Sequence, residues 1–219
     1  MYNIIMIFCH LKQEWKDTHV GVNNGAYWYS KELYENIVPH IKTKRDWVLI
    51  NVDNQCTDGA IVFIHNNAHP ETYAWLGQYK DLILVCSQIK TLKVMIEMFP
   101  NFHTILLPLS IDTDYVSKFK VKRKTKDTAY YGRIVKCPDS ILHDESIDKI
   151  YDKNRDKCLT ALAKYKTVYA IGRCALEGKC LKCKVIPHEG EYVNTDFKLI
   201  DNKEVIPMLQ KIINEIDMV

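Results

Sequence analysis

Glycine and proline are scarce in this chain, eight and seven of 219 residues, and no low-complexity tract breaks it. That excludes a broadly disordered chain and leaves room for order everywhere except loop tips. Charge of one sign is lacking as well: 30 basic against 27 acidic residues give a net charge of +3. An excess that small does not argue for a nucleic-acid partner. Apolar runs stop short of the length that spans a bilayer. The opening "MYNIIMIF" has no basic n-region and reads as a first buried strand, not a signal peptide. Eight cysteines without a secretion signal read as reduced thiols, which sets the expectation of a cytoplasmic protein.

What is present is a repeated alternation. "YNIIMIFC" is an apolar run of strand length. A polar stretch follows, and Ala26, Tyr29, Leu33 and Ile37 then share one helical stripe that Pro39 ends. "DWVLINV", "GAIVFIH", "KDLILVCS" and "FHTILLPL" read as further strands, and "QIKTLKVMIEMF" as a helix, with a short helix over 71–79. Buried runs alternating with helices imply a parallel sheet covered on both faces. The rhythm breaks at Lys118–Lys126, a basic run that reads as a solvated linker able to draw in a polyanion. Beyond it, "TAYYGR", "KTVYAIG" and "CKVIPH" read as strands, and "DESIDKIYDKNRDKCLTALAKY" as two charged helices. "CALEGKCL" is a helix, and 203–217 a terminal helix with Val205, Leu209, Ile212 and Ile216 on its stripe and Pro207 in its first turn. The expected architecture is α/β: two Rossmann-like parallel-sheet domains facing a cleft, over 1–116 and 127–219. A linker over 117–126 joins them, and the second domain is reduced. Ligands of such sheets sit at the carboxyl ends of strands, so candidate residues belong in the loops just after them.

Five loops qualify. "HVGVNNGAYW" places Gly25 at a helix start, where backbone N–H groups suit an anion; the plain alternative is a flexible Asn/Gly turn. His65 follows a strand directly, placed to hydrogen-bond a hydroxyl or phosphate or to move a proton, against a simple strand-end cap. Asp112 and Asp114 read as an Asx turn before a metal pair. Arg133 and Lys136 offer a planar fork and a point charge that together suit a diphosphate, or are two solvated cations. In "YAIGRCALEGKCLKCKVIPH", Cys174, Cys180, Cys183 and His188 have the spacing C-x5-C-x2-C-x4-H, which a zinc-dependent nucleic-acid module would use. The apolar pattern runs through those cysteines, however, and favours strand, turn and helix. Gly172 and Arg173 then form the turn, the helix N–H groups face a phosphate, and Glu177 accepts from ribose hydroxyls.

These residues resemble a known family. "YAIGRCALEGKCLKCKVI" resembles the nucleotide-sugar segment of GT-B-fold glycosyltransferases of the group 1, family 4-like type, with its Gly-Arg/Ser-x-x-x-Glu-Ala run, small-residue turn and strand. "KDLILVCSQIKTLKVMIEMFPNFHTILLPLSIDTDYV" resembles the end of their first domain, and "TAYYGRIVK" the opening of their second. The likeness runs in order from about residue 60. It implies a metal-independent hexosyltransferase that needs no cofactor and takes a nucleoside-diphosphate sugar such as a UDP-sugar. Gly172, Arg173 and Glu177 would bind the donor, with Glu177 on the ribose. Arg133 and Lys136 would face the diphosphate, Gly25 the phosphate or acceptor, and His65 would assist. The acceptor stays open among glycan, lipid-linked sugar, protein and modified DNA base. The chain departs from the pattern at Gly178, where alanine is usual, at Lys182 in the small-residue turn, at Ser110 for a glycine, and in the short Arg133–Lys136 spacing. The competing reading is a non-catalytic nucleotide- or partner-binding protein on a shortened scaffold of the same kind.

Overall fold

The computed structural model describes residues 7–9, 25–50, 55–64, 70–151, 154–188 and 198–218. Ile61–Ile64 (β3) and Ile83–Cys86 (β4) are buried at every position, as strands covered on both faces must be. With Ile7–Cys9 (β1), Trp47–Ile50 (β2) and His103–Leu106 (β5) they build an all-parallel sheet in the order β1-β2-β3-β4-β5. Helix α1 (Gly25–Asn36) follows β1, and α2 (Ile89–Met98) joins β4 to β5. Tyr29, Leu33 and Ile37 of the expected stripe are all buried. The stretch 71–79 forms a 3-10 helix over Pro70–Gln78.

The second sheet holds Lys126–Tyr131 (β6), Asp148–Ile150 (β7), Tyr165–Tyr169 (β8) and Lys184–Ile186 (β9), all parallel, in the order β7-β6-β8-β9. Helices α3 (Thr113–Ser117), α4 (Asp139–Leu142), α5 (Arg155–Leu162) and α6 (Gly172–Cys180) accompany it. The expected class is met: an α/β protein with two all-parallel, Rossmann-like sheets. One element differs. The first of the two charged helices expected in 144–165 is strand β7, paired to β6 from Ala129↔Asp148 to Tyr131↔Ile150. It ends the sheet among the described residues, so Asp148 stays in solvent while Ile150 is buried, and its charge pattern imitates a helix.

Contacts divide the described residues into two units: those within 7–9, 26–109 and 203–218 form one, and those within 110–202, with Gly25, the other. The terminal helix α7 (Asn202–Asp217) thus belongs, from residue 203, with the first sheet, and not with a domain running 127–219. Gln210 bonds both backbone groups of Lys42, and Asp217 pairs with Arg45 at 2.7 Å. The buried stripe of α7 is Val205, Leu209 and Ile213, with Ile212 and Ile216 only half-buried. Because the helix begins at Asn202, Pro207 lies inside it, beyond the first turn. Among the described residues no helix is long and apolar enough to cross a membrane.

Candidate functional site

Counted within the second sheet, the strand order is 2-1-3-4. The chain leaves β6 toward β7, then returns across it to lay down β8. The connections from β6 and β8 therefore diverge, and ligands of open α/β sheets bind at such reversal points.

The turn after β6 is Gly132-Arg133. Tyr130 donates its hydroxyl to the Arg133 carbonyl at 2.8 Å, and a Cβ on Gly132 would meet that hydroxyl at 3.0 Å, so glycine lets the turn close over the ring. Lys136 ends the 3-10 turn Ile134–Lys136, its N–H bonded to the Arg133 carbonyl at 2.9 Å. Both basic side chains are exposed on one turn at the reversal point. The turn after β8 is Ala170-Ile171-Gly172. Gly172 has φ +55, which glycine adopts without strain, and a Cβ there would meet nothing within 4 Å. Helix α6 starts at this open turn with no side-chain cap on its first amides. His188, just past β9, lies with its ring 5.0 Å from that of Tyr130.

Glu177 is 2% exposed one turn into α6. Arg155 reaches its Oε1 with Nε at 3.0 Å and Nη2 at 2.7 Å, and Arg173 approaches the same oxygen at 3.3 Å. Tyr131 donates its hydroxyl to Oε2 at 2.5 Å. Burial, and then the negative Glu177, push the Tyr131 phenol well above the ordinary tyrosine range. The Cys174 thiol is likewise pushed up by burial and by Glu177. Arg155 is set at the start of α5, where the Asn154 side chain caps the helix by accepting from Lys157 N–H at 3.1 Å. Its guanidinium lies 5.0 Å from the Tyr115 ring centroid, and Tyr115 donates to Asp156.

The structure thus brings Arg133, Lys136, Gly172, Arg173 and Glu177 to the carboxyl end of one sheet. Glu177 is buried, and each of its oxygens accepts from a side chain. Tyr131 and Arg155 were missed. Tyr131 hides inside an apolar strand, and Arg155 in a charged run with no motif around it. Gly25 is the first residue of α1, and His65 lies outside the described residues. Asp112 caps α3 by accepting from Tyr115 N–H at 2.8 Å, the Asx turn expected of it.

Three of the four zinc candidates, Cys180, Cys183 and His188, have separate surroundings. Cys180 lies by the Thr113 carbonyl at 3.6 Å, Cys183 by the Leu162 carbonyl at 3.7 Å and Lys124 Nζ at 3.3 Å, and His188 by Tyr130. Among the described residues no three His, Cys, Asp or Glu side chains group so as to hold a metal ion. Burial raises the Cys183 thiol, which does not suit an activated cysteine. In the basic run, Lys118 sits over Tyr115, Lys120 bonds Ser117, Lys124 bonds the Ala163 carbonyl, and Lys126 bonds Asp148 and Tyr165. Those contacts lie within the second unit, and Lys118, Lys120, Lys122, Arg123 and Lys126 are exposed.

The first unit carries an open groove of about 1090 Å³ that includes Arg45, Asp58, Asp81, His103 and Asp217. It lies at the amino ends of the strands, and Arg45 ties it together through the Gly59 carbonyl (2.8 Å), Asp81 (3.1 Å) and Asp217 (2.7 Å). Its cation is committed to anchoring α7. Compared with protein-family models, curated proteins and solved structures, the chain finds no match in any of the three.

Proposed function

We propose that this protein is a glycosyltransferase that moves a sugar from a nucleoside-diphosphate sugar to an acceptor whose class the site leaves open. The observation that carries the reading is the buried Glu177 under the reversal point of the second sheet, five residues past a left-handed, sterically open Gly172. A carboxylate at that depth suits vicinal hydroxyls of a ribose, and the first amides of α6 face the place of its phosphates. Arg133 and Lys136 stand on the adjacent turn, where they would stabilise the charge that develops on the leaving diphosphate. Fold alone hosts many activities, so support comes from this constellation and from the motif order in the sequence.

Isothermal titration with UDP, GDP and ADP tests the reading. Binding of at least one is expected, with affinity lost about tenfold or more in Glu177→Gln, which removes a charged acceptor. No heat with any of the three overturns it. One observation favours the second reading, a non-catalytic nucleotide- or partner-binding protein: Glu177 already accepts from Arg155 and Tyr131 and is paired with Arg173. Nucleotide binding without donor hydrolysis or transfer across an acceptor screen selects that reading.

A further inference from the structure

A carboxylate offers about four lone-pair sites. Here Oε1 of Glu177 accepts from Arg155 Nε and Oε2 from the Tyr131 hydroxyl, while Arg155 Nη2 and Arg173 Nε crowd Oε1 as ion-pair contacts at 2.7 and 3.3 Å. With Glu177 only 2% exposed behind these side chains, a ribose diol cannot reach it until one of them leaves. Tyr131 is fixed in strand β6 and 6% exposed. Arg173 sits one turn before Glu177 on the same helix, its side chain 8% exposed. Arg155 comes from a different helix, is the more open arginine at 12%, and lies against the Tyr115 ring, a flat surface on which a guanidinium can pivot.

We propose that Arg155 is a switch: it occupies the ribose position on Glu177 in the empty protein and passes to the donor's diphosphate when the donor enters. Arg155 Nε and Nη2 both approach Oε1, and a ribose hydroxyl that binds the same oxygen competes with them for it. Separating a buried ion pair leaves a charge uncompensated, and the displaced guanidinium therefore needs a new anion. A nucleoside diphosphate brings one; a nucleoside does not. The requirement for phosphate is then enforced through the ribose site itself, in addition to any contact from Arg133 and Lys136. The inference rests on the donor reading of Glu177.

The experiment compares a nucleoside with its diphosphate, uridine with UDP or guanosine with GDP, on the intact protein and on Arg155→Gln by titration calorimetry. The switch predicts that R155Q binds the nucleoside more tightly than the unmodified protein does, and that the diphosphate-to-nucleoside affinity ratio falls about tenfold or more. R155K keeps the charge with poorer geometry and is expected to fall between; it carries the same comparison where R155Q does not fold. A merely structural role weakens both ligands alike, so an unchanged ratio in a protein that binds the diphosphate overturns the switch and leaves the donor reading standing. An unmodified protein that binds neither ligand overturns both.

Discussion

Replacing Gly178 by alanine tests how closely α6, the helix that carries Glu177, must lie on the second sheet. A Cβ at Gly178 would stand 2.9 Å from Val168 Cγ1 and 3.2 Å from Val185 Cγ2, against about 3.5–4.0 Å for relaxed carbon contacts. Val168 is fully buried on β8, and valine is stiff at χ1, so neither methyl moves aside freely. Overpacking of this kind costs about 1–3 kcal/mol, while exchanging a helical glycine for alanine returns about 1 kcal/mol. The expected balance is a loss of about 1 kcal/mol, read as a lower urea midpoint at unchanged m-value. The clash also identifies its own cure. Val168→Ala deletes the nearer methyl, so the double variant should be more stable than the sum of the singles by about 1 kcal/mol. A G178A protein as stable as the parent, or strict additivity with V168A, refutes the argument. Members of the resembled family usually carry alanine here; in this chain two valines fill the space that its methyl would take.

Lys182 ends α6 with φ +60, as the left-handed residue after a Schellman cap: Cys183 N–H bonds the Gly178 carbonyl at 2.9 Å and Lys182 N–H the Lys179 carbonyl at 2.9 Å. Lys182→Gly should raise stability by about 0.5–1 kcal/mol, seen as a higher melting temperature; a lower one contradicts the assignment. Tyr131→Phe should cost about 1.5–3 kcal/mol near neutral pH, because it strips a hydroxyl from a buried carboxylate. It should also change the alkaline limb. The folded protein keeps phenol protons that the unfolded chain releases above its ordinary tyrosine pKa, with Tyr115 held up to about 12 by burial and by its bond to Asp156, and Tyr131 held higher than ordinary too. The native state then binds more protons than the unfolded one, so stability is full below about pH 10 and falls as pH rises through the folded values. In urea titrations across that range Y131F should fall less steeply than the parent, and equal slopes contradict the burial of this phenol.

Strands buried on both faces announced themselves. "IVFI" and "ILVC" are apolar at every position, and only a covered parallel strand or a buried helix reads that way; their length of four residues decides for strand. β7 was illegible for the opposite reason. At the sheet margin only Ile150 needs cover, so "DKI" carries charges that no local pattern distinguishes from a solvated helix. The placement of α7 was illegible too. Its stripe of Val205, Leu209 and Ile213 shows that one side is buried but not against which sheet. That is settled by partners remote in sequence: Lys42 for Gln210 and Arg45 for Asp217.

The site divides along the same line. Gly172, Arg173 and Glu177 are neighbours on the chain, and a strand–turn–helix reading places them together without knowledge of the rest. Tyr131 and Arg155 meet Glu177 from 46 and 22 residues away, and what delivers them is strand order. If β6, β7, β8 and β9 lay in sequence across the sheet, β7 would separate the end of β6 from the end of β8, and Tyr131 would sit one strand farther from α6. The reversal makes β6 and β8 neighbours, sets Tyr131 beside the helix that follows β8, and lets α5, entering from β7 on the far side, lay Arg155 across the gap. The first sheet, whose described strands run in unbroken order, has no such reversal. Its open groove is at the amino ends of the strands, around an arginine already committed to holding the terminal helix. Topology therefore concentrates the convergent polar groups in the second unit, and a carboxylate held there by three side chains from three different elements can be reached only by a ligand that replaces one of them.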